Sequence, residues 1–179
     1  AAVREDAANG ETILRINAVD LDSGENGRIT YSLINGDRHG QLRVDSVTGV
    51  LSVAGQLDRE LIGSYTLEVE ARDNGSPPLA ATTLVALEIT DANDNPPAFS
   101  HTNYTAIAQE DKQLGFAILK LQVTDADGPN NAGPFTFEIR TGNVDNAFRI
   151  DADGTLRTAT IFNHKVRAID LKFFSNIMK

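Results

Sequence analysis

The sequence predicts an all-β protein made of two tandem β-sandwich modules. Three observations lead to this. Short runs of β-branched and apolar residues recur along the chain, with turn residues between them about every 8–12 residues. No segment keeps a 3.6-residue apolar period, so no helix is expected. The sequence also repeats itself at a spacing of 105 residues, as tandem modules do.

Four runs are the clearest strand candidates because they alternate or cluster β-branched and apolar side chains. They are Ile13–Val19, Ile29–Leu33, Tyr65–Ala71 and Thr82–Ile89. Glycine-containing turn signals separate them: Asn9-Gly10, Ser23-Gly24, Asn35-Gly36, Thr48-Gly49 and Asn74-Gly75-Ser76-Pro77-Pro78. A chain of this kind folds as a sandwich of short antiparallel strands.

The internal repeat sets the domain boundaries. A shift of 105 residues superimposes identical residues at four places: Glu5 on Glu110, Asp20 on Asp125, Asp22 on Asp127 and Gly49 on Gly154. The residues around these anchors also agree; for example, Val19-Asp20-Leu21-Asp22 matches Thr124-Asp125-Ala126-Asp127. We therefore predict modules at residues 1–97 and 98–179, with a linker at residues 91–97.

The linker reads Asp91-Ala92-Asn93-Asp94-Asn95-Pro96-Pro97. Its carboxylates, amides and backbone carbonyls are hard oxygen donors, and Ca²⁺ takes six to eight such ligands. The two prolines remove backbone donors and favour an extended conformation at Asn95. The stretch is either a solvated linker or a cation-binding hinge, and the residues that join it decide between these readings.

Loops cluster at the two ends of a sandwich, so acidic loops from both modules are expected to meet at the linker. The expected set contains Glu5, Asp58, Glu60, Asp91, Asp94, Asp125 and Asp127. Like charges this close disfavour ionisation, so the set is tenable at neutral pH only with cations between its members. Two or three Ca²⁺ ions would neutralise most of it.

Five ordered motifs resemble the calcium signature of cadherin extracellular repeats. They are Arg4-Glu5-Asp6, the D-x-D-x-G-x-N-G run from Asp20 to Gly27, Leu57-Asp58-Arg59-Glu60, the A-x-D-x-G-S-P run from Ala71 to Pro77, and the linker from Asp91 to Pro97. The match covers the first module and the second to about Phe162. It implies Greek-key, immunoglobulin-like sandwiches.

The resemblance implies about three Ca²⁺ ions at the linker. The outermost ion would take Glu5, Asp58, Glu60 and Asp94. The middle ion would take Glu5, Glu60, Asp91, Asp94, Asp127 and the Ala92 carbonyl. The third would take Asn93, Asn95, Asp125, Asp127 and the Asn131 carbonyl. A second set, Asp20, Asp22, Asn26 and Asp73, matches the pattern for a linker to a preceding repeat.

The implied function is calcium-dependent cell–cell adhesion rather than catalysis. Ca²⁺ would stiffen neighbouring repeats of one chain, so that the ectodomain of a single-pass plasma-membrane protein can bind other cadherin ectodomains, homophilically or heterophilically. The absence of tryptophan is unlike strand-swapping cadherins and resembles internal repeats of long Fat- or Dachsous-type cadherins. The alternative is a calcium-stiffened spacer with no partner-binding face of its own.

The second module departs from the pattern. At the 105-residue spacing, Asn163, Lys165 and Met178 stand where the first module has Asp58, Glu60 and Asp73. From about residue 166 the tail diverges, and its apolar alternation is one residue out of phase with Tyr65–Val69. Either this strand is offset, or the tail pairs in a non-native way. Both ends of the chain read as fragments of larger repeats.

Composition excludes several classes of partner. A net charge of −9 argues against nucleic acid and anionic membranes, and no apolar run is long enough to span a bilayer. No signal peptide opens the chain, and without cysteine there is no disulfide framework to indicate the redox compartment. A nucleotide-dependent transferase could use D-x-D, but no glycine-rich phosphate loop accompanies it, and no small-molecule substrate is expected.

Other motifs favour structural interpretations. Asp20-Leu21-Asp22 fails as an EF-hand because Gly24 and Glu25 are misplaced, and His39, His101 and His164 are scattered. The Asp151–Gly154 loop corresponds to the Asp45–Gly49 turn and is expected to be a hairpin. Of two glycosylation sequons, Asn103-Tyr104-Thr105 is the candidate, since Pro77 follows Asn74-Gly75-Ser76.

Overall fold

The structure is a computed structural model that describes residues 1–108, 112–162 and 172–177, the last stretch by its backbone. The chain forms two compact units, Ala1–Ala92 and Asn93–Lys179. The division falls inside the predicted linker. Two short 3₁₀ turns, Gly24–Gly27 and Val144–Asn146, are the helical elements of the described residues. None of these residues belongs to a helix that could cross a membrane.

The first unit is a sandwich of two sheets. Its strands are β1 (Ala2–Arg4), β2 (Thr12–Arg15), β3 (Ile29–Asn35), β4 (Leu42–Val44), β5 (Val50–Val53), β6 (Ser64–Asp73) and β7 (Ala80–Thr90). One sheet has the order β1-β7-β6-β3 and the other β2-β5-β4. The predicted strands are present, but β2 ends at Arg15 instead of Val19.

The core of this unit lies between the two sheets and is largely aliphatic. On β6 the alternation predicted from the sequence is realised, because Tyr65, Leu67 and Val69 are buried while Thr66 between them is exposed. The principal core residues come from both sheets and the loops between them: Val3, Leu42, Leu51, Val53, Leu57, Tyr65, Leu67, Leu87 and Ile89. This packing fixes the ends of the strands, where the acidic loops begin.

The second unit repeats much of this arrangement. Its strands are β8 (Ala98–Phe99), β9 (Ala117–Lys120), β10 (Val123–Thr124), β11 (Phe135–Thr141), β12 (Phe148–Ile150), β13 (Thr155–Thr158) and β14 (Lys172–Ile177). They form the sheets β12-β13-β9, β11-β14 and β10-β8. Among the residues whose side chains the structure describes, the core of this unit centres on Ala147, Phe148 and Leu156.

The predicted hairpin at Asp151–Gly154 is confirmed, as is its counterpart in the first unit. The first connects β12 with β13 and the second connects β4 with β5. Gly49 and Gly154, which the repeat superimposes, both have positive φ, 69° and 80°. Asp45 Oδ1 accepts a hydrogen bond from the Thr48 backbone N–H at 2.7 Å, so this carboxylate stabilises the turn.

Replacing Gly49 with alanine should lower the stability of the first unit by about 2 kcal/mol or more. A Cβ at this position would lie 2.3 Å from the Ile16 carbonyl oxygen, in addition to the cost of a φ of +69°. Gly10→Ala is the matched control, because Gly10 has a φ of +92° but no atom within 4 Å of the new Cβ. Thermal unfolding should show the larger loss for Gly49→Ala, and equal losses would contradict the steric argument.

The tail strand resolves the phase problem in the sequence. β14 pairs with β11 as β6 pairs with β3: Ile139 lies opposite Phe173, and Leu33 lies opposite Val69. The spacing between equivalent residues is therefore 106 on one strand (33 to 139) and 104 on the other (69 to 173). The strand is offset, and the expectation of non-native pairing is wrong for residues 172–177. Residues 163–171 and 178–179 lie outside the described part.

Candidate metal centre

Glu5 is at the centre of an acidic group at one end of the first unit. Strand β1 runs parallel to β7, with Arg4 opposite Thr90, so Glu5 and Asp91 leave the sheet side by side. Glu5 is only 4% exposed. Its carboxylate accepts hydrogen bonds from the backbone N–H groups of Arg59 and Ala92, both at 2.7 Å. These bonds hold a buried negative charge in place and tie three separate segments together.

Two more carboxylates reach the same end from the loop before β6 and from the end of β7. The Arg59 guanidinium donates from Nε to Asp91 Oδ1 at 2.7 Å and from Nη2 to Glu60 Oε1. Asp58 forms the turn itself, its Oδ1 accepting from the Leu61 N–H at 2.8 Å. Burial raises the pKa of the Glu60 carboxyl, and the charge of Glu5 adds to this rise. Ionised Glu60 is therefore costly unless positive charge is close.

The second unit presents its own acidic group beside its first strand. Thr124 on β10 lies opposite Ala98 on β8, so Asp125 and Asp127 follow β10 at the end where Asn95 precedes β8. Asp127 Oδ1 accepts from both the backbone N–H of Asn95, at 3.1 Å, and its side-chain amide, at 2.9 Å. Asp127 of the D-x-D motif is thus hydrogen-bonded to Asn95 in the second half of the linker.

Two carboxylate oxygens in this group are buried without a hydrogen-bond partner: Asp125 Oδ2 and Asp127 Oδ2. Asp127 as a whole is 6% exposed. A buried carboxylate oxygen with no donor costs free energy, and native structures rarely keep one without an ion or water nearby. A hard cation would satisfy both oxygens. The residues present therefore fit Ca²⁺, since every side-chain donor in the two predicted ligand sets is an oxygen.

The ligands predicted for a preceding repeat lie at the opposite end of the first unit. Ile29 at the start of β3 is paired with Asp73 at the end of β6, and the ten-residue strand β6 separates this end from the loop that carries Asp58 and Glu60. Asp20 Oδ1 accepts from the Asp22 N–H at 2.8 Å. Asp73 and Asn26 both approach Gly75, where an added Cβ would lie 3.3 and 3.6 Å from their Oδ1 atoms. The second unit has the same D-x-D turn, with Asp125 Oδ1 accepting from the Asp127 N–H at 3.0 Å.

The ligand set predicted for a third ion is poorer in carboxylates than the set at the opposite end of the first unit. In register, the second-unit counterpart of Asp73 is Ile177, because Ile177 is paired with Phe135 as Asp73 is paired with Ile29. The 105-residue repeat predicts Met178 as the counterpart of Asp73, and the strand register corrects this to Ile177. Neither residue carries an oxygen ligand on its side chain. Asn131 lies in a turn in which its N–H donates to the Gly128 carbonyl at 2.8 Å.

Sequence reasoning missed Arg59, the cation within the first acidic group. The family resemblance assigns a role only to Asp58 and Glu60 in this motif. The position of a basic residue between two acidic ones could have indicated Arg59. In contrast, Asp151 pairs with Arg157 at 2.6 Å and Asp153 with Lys120 at 3.2 Å, which accords with a structural role for that loop. Asn103, the glycosylation candidate, is exposed.

Comparisons with known proteins agree with this architecture. A family model described as "Cadherin domain" matches residues 1–90. The chain is 42% identical over 177 residues to the Drosophila melanogaster "Fat-like cadherin-related tumor suppressor homolog", covering 97% of this chain and 4% of that protein. It is 43% identical over 163 residues to human "Protocadherin Fat 1", covering 91% and 4%. The chain thus spans about one twenty-fifth of the length of these relatives.

Solved structures show the same fold. Mouse cadherin-23 EC22-24 matches with a TM-score of 0.78 and 30% identity, over 99% of this chain and 62% of that one. The human desmocollin-1 ectodomain matches with a TM-score of 0.78 and 28% identity, over 98% and 35%. The Greek-key sandwich predicted from the sequence is confirmed. With strands, acidic ends and family model in agreement, the chain belongs to the cadherin family and is similar to repeats of Fat-type members.

Proposed function

We propose that the chain is a calcium-dependent module of a cell-adhesion ectodomain, with Ca²⁺ held where the two repeats join. The observation that carries this is the pair of buried, unpartnered oxygens on Asp125 and Asp127. They belong to the same unit as Asn93, Asp94 and Asn95, which follow directly on Asp91 and Ala92 in the chain. Five consecutive residues span at most ~17 Å, so a linker this short is compatible with ions shared by the two acidic groups.

The proposed ligand sets are those implied by the family pattern. Glu5, Asp58, Glu60 and Asp94 hold the outermost ion; Glu5, Glu60, Asp91, Asp94, Asp127 and the Ala92 carbonyl hold the middle one; and Asn93, Asn95, Asp125, Asp127 and the Asn131 carbonyl hold the third. When bound, Ca²⁺ supplies positive charge shared among oxygens of both repeats. The third ion is the weakest, because Ile177 stands where the first unit has Asp73.

The place of the module in its protein follows from the family. Adhesion proteins of this kind present their repeats outside the cell, so we propose an extracellular position in the ectodomain of a single-pass membrane protein. The partners are other cadherin ectodomains, homophilic or heterophilic, and the neighbouring repeats of the same chain. Asn103 is exposed and is proposed as an N-glycosylation site. A role as an enzyme is not proposed, since this family acts in adhesion.

Calorimetric titration of the 179-residue chain with Ca²⁺ tests the proposal. We expect several sites with dissociation constants near 10⁻⁴–10⁻³ M, the range of extracellular modules. Asp94→Ala should reduce both the stoichiometry and the affinity, because Asp94 is assigned to two of the ions. Unchanged binding by this variant would contradict the linker site. Coating beads with wild-type chain and scoring calcium-dependent clustering then separates adhesion from a spacer role.

A further inference from the structure

Arg59 spans two of the carboxylates that are proposed to bind calcium. Its Nε donates to Asp91 Oδ1 at 2.7 Å and its Nη2 donates to Glu60 Oε1. Its own backbone N–H binds the buried Glu5 carboxylate at 2.7 Å. The side chains of Arg59 and Glu60 are each 25% exposed and that of Asp91 is 18% exposed. Solvent therefore screens these contacts only in part.

We propose that Arg59 is the internal counterion of this acidic end in the absence of metal, and that Ca²⁺ competes with it for Glu60 and Asp91. The competition with Ca²⁺ rests on the proposed function, whereas the counterion role does not. Besides Asp58, three acids meet at this end, namely Glu5, Glu60 and Asp91, and the guanidinium supplies positive charge to these three. An oxygen that accepts from the guanidinium shares its lone pairs with that cation, and two cations at one carboxylate repel each other.

The hydrogen-bond pattern separates this role from that of a positioning residue. An arginine that orients one ligand usually binds it with both arms of its fork, leaving other ligands alone. Arg59 instead uses one arm for Asp91 and another for Glu60, which places its charge between two residues assigned to the same ion. A positioning residue would strengthen metal binding, whereas a competing counterion weakens it. The two roles therefore predict opposite changes in calcium affinity when Arg59 is replaced.

Arg59→Gln tests the proposal through two independent measurements. In chelator, its unfolding temperature should fall by roughly 2–5 °C, because the acids lose their neutralising partner. In calorimetric titration, its affinity for Ca²⁺ should rise roughly twofold to fivefold, since no side-chain cation has to be displaced. Arg59→Lys, which keeps the charge but not the fork, should have an affinity between those of wild type and Arg59→Gln.

Arg4→Gln is the matched control. Arg4 precedes Glu5 and pairs with the exposed Asp6 at 2.7 Å, so its loss changes the net charge equally and removes no hydrogen bond from Glu60 or Asp91, although its charge also acts on Asp91 and Glu5. Its calcium affinity should rise less than that of Arg59→Gln. Weaker calcium binding by Arg59→Gln, or the same rise in both variants, would overturn the competition. An unchanged unfolding temperature in chelator would overturn the counterion role. Absence of calcium binding by wild type would remove the proposed function, while the chelator measurement would still decide the counterion role.

Discussion

Asp127→Asn should reduce calcium affinity by roughly two to three orders of magnitude while making the metal-free protein more stable. Breaking a buried ionic contact by removing one partner costs about 3–5 kcal/mol, which corresponds to that loss of affinity. Asp127 is 6% exposed, and its Oδ2 has no hydrogen-bond partner. Without metal this buried charge therefore lowers the free energy of unfolding, and replacing it with a neutral amide removes that cost. The same substitution should have opposite effects on stability in chelator and in Ca²⁺.

The substitution is nearly isosteric, so it preserves most of the local structure. In the wild-type chain the Asn95 backbone N–H donates to Asp127 Oδ1 at 3.1 Å, and the Oδ1 of an asparagine can accept the same hydrogen bond. Thermal unfolding in chelator and in millimolar Ca²⁺ measures the change in stability under each condition, and calorimetric titration measures the loss of calcium affinity. A variant that is less stable than wild type under both conditions, with its affinity retained, would show that Asp127 is only a structural residue.

Asp153→Asn is the matched control within the same unit. Asp153 also belongs to a D-x-D sequence, but its Oδ1 accepts from the Thr155 N–H at 3.0 Å and its Oδ2 is paired with Lys120 at 3.2 Å. Hydrogen bonds from Thr155 lower the pKa of the Asp153 carboxyl, as expected for a carboxylate that is already satisfied. Its replacement should lower stability equally with and without calcium and leave calcium affinity unchanged.

The contrast between these two D-x-D sequences shows what a sequence can and cannot specify. Both offer two carboxylates at the same spacing, and only the repeat alignment suggested that Asp151 and Asp153 form a hairpin. The structure adds the physical difference: Asp151 and Asp153 each have a cationic partner, whereas Oδ2 of Asp125 and Oδ2 of Asp127 have no hydrogen-bond partner. These partners lie outside the D-x-D motif, and Lys120 on β9 is far from Asp153 in sequence, so the motif alone does not reveal which carboxylates are satisfied.

Strand identity was predictable because side-chain alternation records which face is buried. Tyr65, Leu67 and Val69 predicted the inward face of β6 correctly. The parallel pairing of β1 with β7, which brings Glu5 beside Asp91, leaves no such local signal. The sequence also left open whether β14 is offset. Equivalent residues are one position further apart than the 105-residue repeat on β11 and one position closer on β14, and in an antiparallel pair these two shifts compensate, so the pairing is preserved. Pairing therefore decides what alternation leaves ambiguous.

Removing calcium should convert a stiff pair of repeats into a flexible one, and small-angle scattering should detect this. In the proposed sites Asp127 shares ions with Glu5 and Glu60, so bound metal would restrict motion between units that residues 91–95 otherwise connect as a linker. Without metal, the acidic groups repel one another over a Debye length of ~8 Å at physiological salt. We expect a larger maximum dimension and a narrower distance distribution in Ca²⁺ than in chelator.

The stability of the chain should change with its shape, because binding free energy is added to the folded state. At a free Ca²⁺ concentration ten times the dissociation constant, each occupied site contributes about 1.4 kcal/mol. Asp94→Ala should lose most of both effects, whereas Asp153→Asn, whose carboxylate already has partners in Thr155 and Lys120, should retain them. An unchanged maximum dimension and radius of gyration, with calcium binding verified in parallel, would leave Ca²⁺ as a local stabiliser of each repeat and exclude the stiffening mechanism.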